Sequence, residues 1–209
     1  SVFFYLLMPL ILLRLLFRGM AAPSYRKRWL QRFGFFTPPE LNKDTIWLHA
    51  VSVGETLAAV PLVKALQTKY PDHRLLITCM TPTGSERITA AFGDSVDHSY
   101  APYDTPDAVA RFLRRVQPKM LIIMETELWP NTVAGCYKRQ IPVILANGRL
   151  SEKSARGYGR VPGLSAPMLG QLTAVAAQHG DDGARFTELG LSAKNLYITG
   201  NIKFDLDLS

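Results

Sequence analysis

From residue 45 onward the chain alternates two hydrophobic spacings. Short apolar runs give way to stretches whose apolar residues recur every three or four positions, then the runs return. The runs TIWLHA (45–50), HRLLITCM (73–80), VDHSYAP (96–102), KMLIIME (119–125), IPVILANG (141–148), TAVAAQ (173–178) and NLYITG (195–200) predict seven strands. Helical spacing fills the gaps at 54–70, 83–93, 105–117, 129–140 and 180–190, and at 151–172 with breaks. Seven short apolar strands alternating with helices predict an α/β fold with a Rossmann-like, doubly wound parallel sheet covered on both faces.

Before that alternation lies a different pattern. Residues 2–17 are almost wholly apolar, broken by Pro9 and Arg14, and this predicts a hydrophobic helix. A span needs roughly 20 apolar residues, so the run is slightly short; it also lacks the small-residue cleavage site of a signal peptide. Net charge is +7, and its location changes the picture more than its size. Residues 1–36 carry Arg14, Arg18, Arg26, Lys27, Arg28 and Arg32 with no acid, which leaves the other 173 residues at about +1. A basic arm beside an apolar segment favours the cytoplasmic side of a membrane and attracts anionic headgroups. The expectation is a membrane anchor over 1–18, a basic juxtamembrane segment over 19–44 and a Rossmann-like domain over 45–209; a buried core helix is the alternative for the first segment. A near-neutral globule argues against nucleic acid as a partner. The chain begins with Ser1 and stops shortly after the last strand, as a fragment of a longer protein would. Cys79 and Cys136 lie in or beside core patterns without a CxxC, which fits a reducing compartment and no structural metal.

Nucleotide fingerprints are missing: no GxGxxG follows the first strand, and no GxxxxGK[ST] occurs. The candidate chemistry sits elsewhere. In doubly wound sheets, ligands bind beyond the carboxyl ends of the strands where strand order reverses. With the order 3-2-1-4-5, Glu55 after the first strand and Glu125 at the end of the fourth face one crevice. Ser52-Val53-Gly54-Glu55 also fits a capping box, in which Ser52 caps the helix and Glu55 reaches back to the Ser52 N–H; that role and a chemical one are compatible. Thr83-Gly84-Ser85-Glu86 reads as a second capping box, mostly structural, whose free N–H groups suit an anion. Glu125 and Glu127 lie two apart, and if the strand ends between them only one need enter the crevice. Pro130 suits the first helical position after Trp129, and Asn131 reads as a surface residue. His49 lies near the crevice, while His73, His98 and His179 read as surface or strand-edge residues, and none shows metal-ligand spacing.

Five motifs in chain order carry a family resemblance: HAVSVGET (49–56), MTPTGSER (80–87), METELWPN (124–131), NGRLSEKS (147–154) and GNIKFD (200–205). Together they resemble the Kdo transferases, which add 3-deoxy-D-manno-octulosonic acid (Kdo) to lipid A precursors. RGMAAPSYRKRWLQRFGFF (18–36) resembles that family's stretch after its membrane anchor. The resemblance implies the N-terminal, acceptor-binding half of a two-domain GT-B type inverting glycosyltransferase of lipopolysaccharide biosynthesis. Such an enzyme moves Kdo from CMP-Kdo to the lipid A precursor lipid IVA at the cytoplasmic side of an inner membrane. It places the CMP-Kdo donor site in a C-terminal domain outside this chain, so the 209 residues alone are expected to be inactive. It implies Glu55 as general base and Glu125 and Lys203 as transition-state stabilisers, with no cofactor and no metal. Lys203 has no signal of its own beyond the resemblance. Two other readings are a membrane-associated two-domain glycosyltransferase with another nucleotide sugar, and a non-catalytic membrane-tethered module.

Overall fold

The computed structural model describes residues 2–21, 27–39 and 43–205. Arg26 of the basic segment and residues 206–209 lie outside them.

The chain opens with helix α1 (Val2–Ala21) and a 3-10 turn at Trp29–Phe33. It then alternates β1 (Thr45–His49), α2 (Val53–Ala58), α3 (Val60–Lys69), β2 (Arg74–Cys79), α4 (Pro82–Phe92), β3 (Asp97–Tyr100), α5 (Pro106–Val116) and β4 (Pro118–Met124). α6 (Pro130–Tyr137), β5 (Val143–Gly148), α7 (Glu152–Gly159), α8 (Pro162–Gly170), β6 (Ala174–Ala177), α9 (Gly180–Glu188) and β7 (Leu196–Ile198) complete it. All seven strands form one parallel sheet in the order β3-β2-β1-β4-β5-β6-β7. The order reverses between β1 and β4, as the sequence pattern predicts. Leu48 lies opposite Ile122 and His49 opposite Ile123 at that seam.

Alternation within each strand sorts side chains between two cores. Ile46, Leu48, Ile122 and Met124 join Ala58, Val63, Ile77 and Ile88 on one face. Trp47, Leu121 and Ile123 join Phe112, Val133, Leu145, Val175 and Phe186 on the other. Trp47 is buried, its ring 4.7 Å from that of Phe112, and its indole N–H donates to Thr78 Oγ1 at 2.8 Å.

Proline decides most differences from the sequence reading. The helix predicted over 54–70 is two helices, because Pro61 has no N–H to donate and sits at the start of α3 instead. The segment 151–172 divides into α7 and α8 ahead of Pro162. The cap of α4 is Thr81, not Thr83: Pro82 takes the first helical position and Thr81 Oγ1 accepts the Gly84 N–H at 3.1 Å.

The hydrophobic N-terminal helix forms, but a form of the expected 1–18 anchor that crosses the membrane is not supported. Among the described residues no helix is long and apolar enough to cross a membrane. Arg14 interrupts the apolar run, and Tyr5 donates its hydroxyl at 2.5 Å to Asp107 in the first turn of α5. Leu15 is buried, while Leu6, Leu10, Leu13, Leu16, Phe17 and Met20 are exposed.

Candidate functional site

One hollow, of about 680 Å³, lies at the amino ends of the strands beside Asp44, Arg74 and Pro118. It collects no convergent catalytic groups and is on the wrong side of a parallel sheet for a ligand site. The carboxylates converge in a smaller cavity of about 300 Å³ at the carboxyl ends, lined by Glu55, Glu125, Thr126, Glu127, Arg149, Ser154 and Tyr158. That crevice is the candidate site.

Glu55 stands in the first turn of α2, after β1. Ser52 caps the helix, its Oγ accepting the Glu55 N–H at 3.2 Å. The return contact differs from a standard capping box: Glu55 Oε2 accepts from the Val51 N–H at 2.8 Å, not from the Ser52 N–H. The carboxylate therefore braces the loop one residue earlier. Glu55 is 6% exposed. Burial pushes its carboxyl above the ordinary glutamate range, hydrogen bonds from Ser52 and Val51 pull the other way, and the charges of Glu127 and Glu125 push upward again. On balance the folded protein holds this proton more tightly than a free glutamate does.

Glu125 follows the last residue of β4 and has a left-handed backbone, φ +56°. Non-glycine residues in that region are uncommon and tend to mark functional places. Its N–H donates to Ala146 O on β5 at 2.8 Å, which fixes the bend. Glu125 Oε1 receives Lys203 Nζ at 3.0 Å, across 78 residues of sequence. Lys203 stands in a 3-10 turn, Ile202–Asp205, beyond β7. The structure thus brings together all three residues singled out earlier: Glu55 and Glu125 line one cavity, and Lys203 is paired to Glu125.

Glu127 also lines the cavity, so both acids of the METE stretch reach it, where one would have sufficed. Thr126 holds the loop by accepting the Arg149 N–H at 3.3 Å and donating to the Arg149 carbonyl. Asn131, expected at the surface, is half-buried. Its N–H and that of Thr132 donate to the two oxygens of Asp104 at 2.9 and 2.7 Å, and the Thr132 hydroxyl adds a bond at 2.8 Å. Asp104 is buried and caps α6 from the loop after β3; no local pattern announces it, since its partners lie 27 and 28 residues away. His49, the last residue of β1, is buried beside Trp129 with its pKa pushed down to about 4 by burial, so it is neutral at pH 7, and its Nδ1 lies 2.9 Å from Thr78 Oγ1. His98 is bound to Ser85 and Arg28 at 2.8 Å each, on edge strand β3. Arg28 and Arg32 of the basic segment stack on the Tyr100 ring, and Arg32 is buried, so this part of the segment packs into the domain.

A crevice lined by a buried carboxylate of raised proton affinity, with an ammonium–carboxylate pair beside it, can receive a hydroxyl group and, when that carboxylate is ionised, take up its proton while charge shifts nearby. Comparison with known proteins narrows this. The family model described as 3-Deoxy-D-manno-octulosonic-acid transferase (kdotransferase) matches residues 27–206. The chain is 46% identical over 203 residues to the 3-deoxy-D-manno-octulosonic acid transferase of Haemophilus influenzae, a match covering 95% of this chain and 47% of that protein. It is 33% identical over 199 residues to a probable mitochondrial 3-deoxy-D-manno-octulosonic acid transferase of Arabidopsis thaliana, covering 94% and 44%. The chain spans about half the length of the curated relatives it matches. Among solved structures it is similar to a UDP-GlcNAc 2-epimerase from Neisseria meningitidis bound to UDP-GlcNAc, with a TM-score of 0.58 at 13% identity over 77% of this chain and 48% of that one. A glycosyltransferase from Rickettsia africae gives 0.50 at 11% identity over 76% and 43%. At such identities the likeness shows the fold alone.

Proposed function

Because the chain belongs to the 3-deoxy-D-manno-octulosonic-acid transferase family, we propose that it is the acceptor-side half of an inverting glycosyltransferase. The intact enzyme moves Kdo from CMP-Kdo to a phosphorylated, acylated disaccharide, the lipid A precursor lipid IVA, in lipopolysaccharide biosynthesis. The donor site belongs to a second domain across the cleft. The observation that carries the reading is the crevice at the β1–β4 seam, where buried Glu55 faces the Glu125–Lys203 pair.

In this reading the acceptor hydroxyl enters the crevice beside Glu55. The new bond forms between its oxygen and the anomeric carbon of Kdo as the bond from that carbon to the CMP phosphate breaks. Attack and departure are in line, so configuration inverts. The hydroxyl proton passes to Glu55, and the electron pair of the broken bond leaves with CMP. Lys203 and Glu125 stabilise the charge that develops between them. Proton removal by a positioned carboxylate contributes about 10²–10⁴-fold. CMP is a better leaving group than a sugar hydroxyl, so the reaction calls for no metal or cofactor.

The location follows from the arm. The exposed apolar side chains of α1 and the bases Arg14 and Lys27 suit contact with an anionic membrane surface from the cytoplasmic side. There the helix lies in the interface with the acceptor. The division into anchor (1–18), basic segment (19–44) and acceptor-binding domain (45–209) belongs to this reading.

Transfer of labelled Kdo from CMP-Kdo to the lipid A precursor tests it, in the intact enzyme and its Glu55→Gln variant. The expected result is transfer by the former and a loss of about 10²–10⁴-fold in the latter. A folded intact enzyme that transfers nothing overturns the substrate assignment. A variant at full rate makes Glu55 a helix cap only.

A further inference from the structure

The transfer scheme makes no use of the end of β5, yet both members of the Glu125–Lys203 pair are hung from it. Glu125 is tied by its N–H to Ala146 O at 2.8 Å. The next residue, Asn147, holds the other member. Asn147 is 3% exposed, and its backbone is left-handed at φ +55°, a conformation asparagine tolerates better than most residues. Its backbone carbonyl accepts from Gln178 Nε2 at 3.1 Å. Its side-chain Oδ1 accepts the Ile202 N–H at 3.1 Å. Ile202 opens the 3-10 turn whose second residue is Lys203. Consecutive residues of one strand therefore set the positions of the two charges, one through the backbone and one through a side chain.

The rest of that turn is lightly held. Lys203 and Phe204 are exposed, and their N–H groups bond to Asn201, the residue just before the turn. Ile202 is half-buried against the core. The carboxamide is also incompletely used by the fold. Asn147 Nδ2 is buried without a hydrogen-bond partner, and burying a polar group unpaired is costly. A group kept only to stabilise the strand end would be better replaced by a smaller residue.

We infer that Asn147 is a positioning residue of the transfer site: it fixes the turn that places the Lys203 ammonium on Glu125. The inference rests on the reading of Glu125 and Lys203 as transition-state stabilisers. It assigns Asn147 no contact with substrate.

The test is a double-mutant cycle in the intact enzyme, with CMP-Kdo and the lipid A precursor as substrates. Lys203→Met lowers kcat about 10²-fold, the scale of one lost electrostatic stabiliser. Asn147→Gly keeps the left-handed backbone open and removes only the carboxamide. It lowers kcat about tenfold by letting Lys203 drift, with acceptor KM changed by less than about twofold. Added to Lys203→Met, Asn147→Gly lowers kcat no further, because a residue that acts through Lys203 has nothing left to position. Ile202→Pro removes the same hydrogen bond from the donor side, at a helical position where proline is accepted. It reproduces the loss and carries the test even if Asn147→Gly does not fold. Wild-type kcat in Ile202→Pro, or losses in Asn147→Gly and Lys203→Met that multiply, overturn the inference. Lys203→Met at full rate overturns the reading of the ion pair itself, a failure the single variant identifies on its own.

Discussion

Glu55 and His49 are both buried at the β1–β4 seam, and burial moves their proton affinities in opposite directions. For Glu55 the folded-state pKa is raised, so the folded protein holds this proton more tightly than the unfolded chain does. The stability this supplies is full below about pH 4.5 and is lost as pH rises through the raised value. A base must be deprotonated, so the rate rises over the interval in which that stability is lost. The acid limb of kcat is expected above pH 4.5 and is expected to vanish in Glu55→Gln, measured as a pH–rate profile; a limb that persists unchanged in Glu55→Gln would leave the carboxylate a purely structural role. For His49 the folded-state pKa is lowered to about 4 from 6.5. Its stability is present above pH 6.5 and lost as pH falls through 4, on the order of 3 kcal/mol. Denaturant unfolding of His49→Asn at pH 7 and pH 4 should show a pH dependence flatter by about that amount, and curves that stay parallel to wild type would remove His49 from the acid response. Glu55 and Glu125 were legible because each sits at a strand end beside turn or capping chemistry. Lys203 was not, because its partner is 78 positions away and no periodicity spans that distance.

At the level of elements, hydrophobic spacing located every strand, while prolines and distant side chains set the helix boundaries. Thr81 could be found only by giving Pro82 its preferred place in the first turn. The cap of α6 could not be found at all, because Asp104 comes from another loop. That cap is more than local repair. α6 begins right after the loop that carries Glu125 and Glu127, and Asp104 anchors its first turn to the end of β3's loop. Asp104→Ala leaves two backbone N–H groups and the Thr132 hydroxyl without this acceptor. It should destabilise the protein by about 2–4 kcal/mol in chemical denaturation. A loss under about 0.5 kcal/mol would mean that water replaces the carboxylate without penalty.

Across the whole molecule, the order of the first five strands matches the usual doubly wound order assumed from the alternation, and β6 and β7 extend it at one edge. The position of the N-terminal helix was not readable, because an apolar run fits a bilayer and a domain surface equally well in sequence. With Tyr5 tied to Asp107 and six apolar side chains exposed, binding at a membrane surface is the expected behaviour. Removing residues 1–21 should lower co-sedimentation with vesicles of mixed neutral and anionic lipid by at least about tenfold, and added salt should weaken what the intact chain retains; equal binding by both forms would place the contact elsewhere. The seam between β1 and β4 has a consequence in time as well as in space. β1 finds β2 soon after it is made, but β4 ends 75 residues beyond His49. At about 5–20 residues per second, ribosomal synthesis of that stretch takes roughly 4–15 s. Throughout that interval Ile46, Trp47 and Leu48 belong to a strand with one raw edge, the kind that recruits foreign strands. The nascent chain has to be kept from aggregating along the same line that will later carry the candidate crevice.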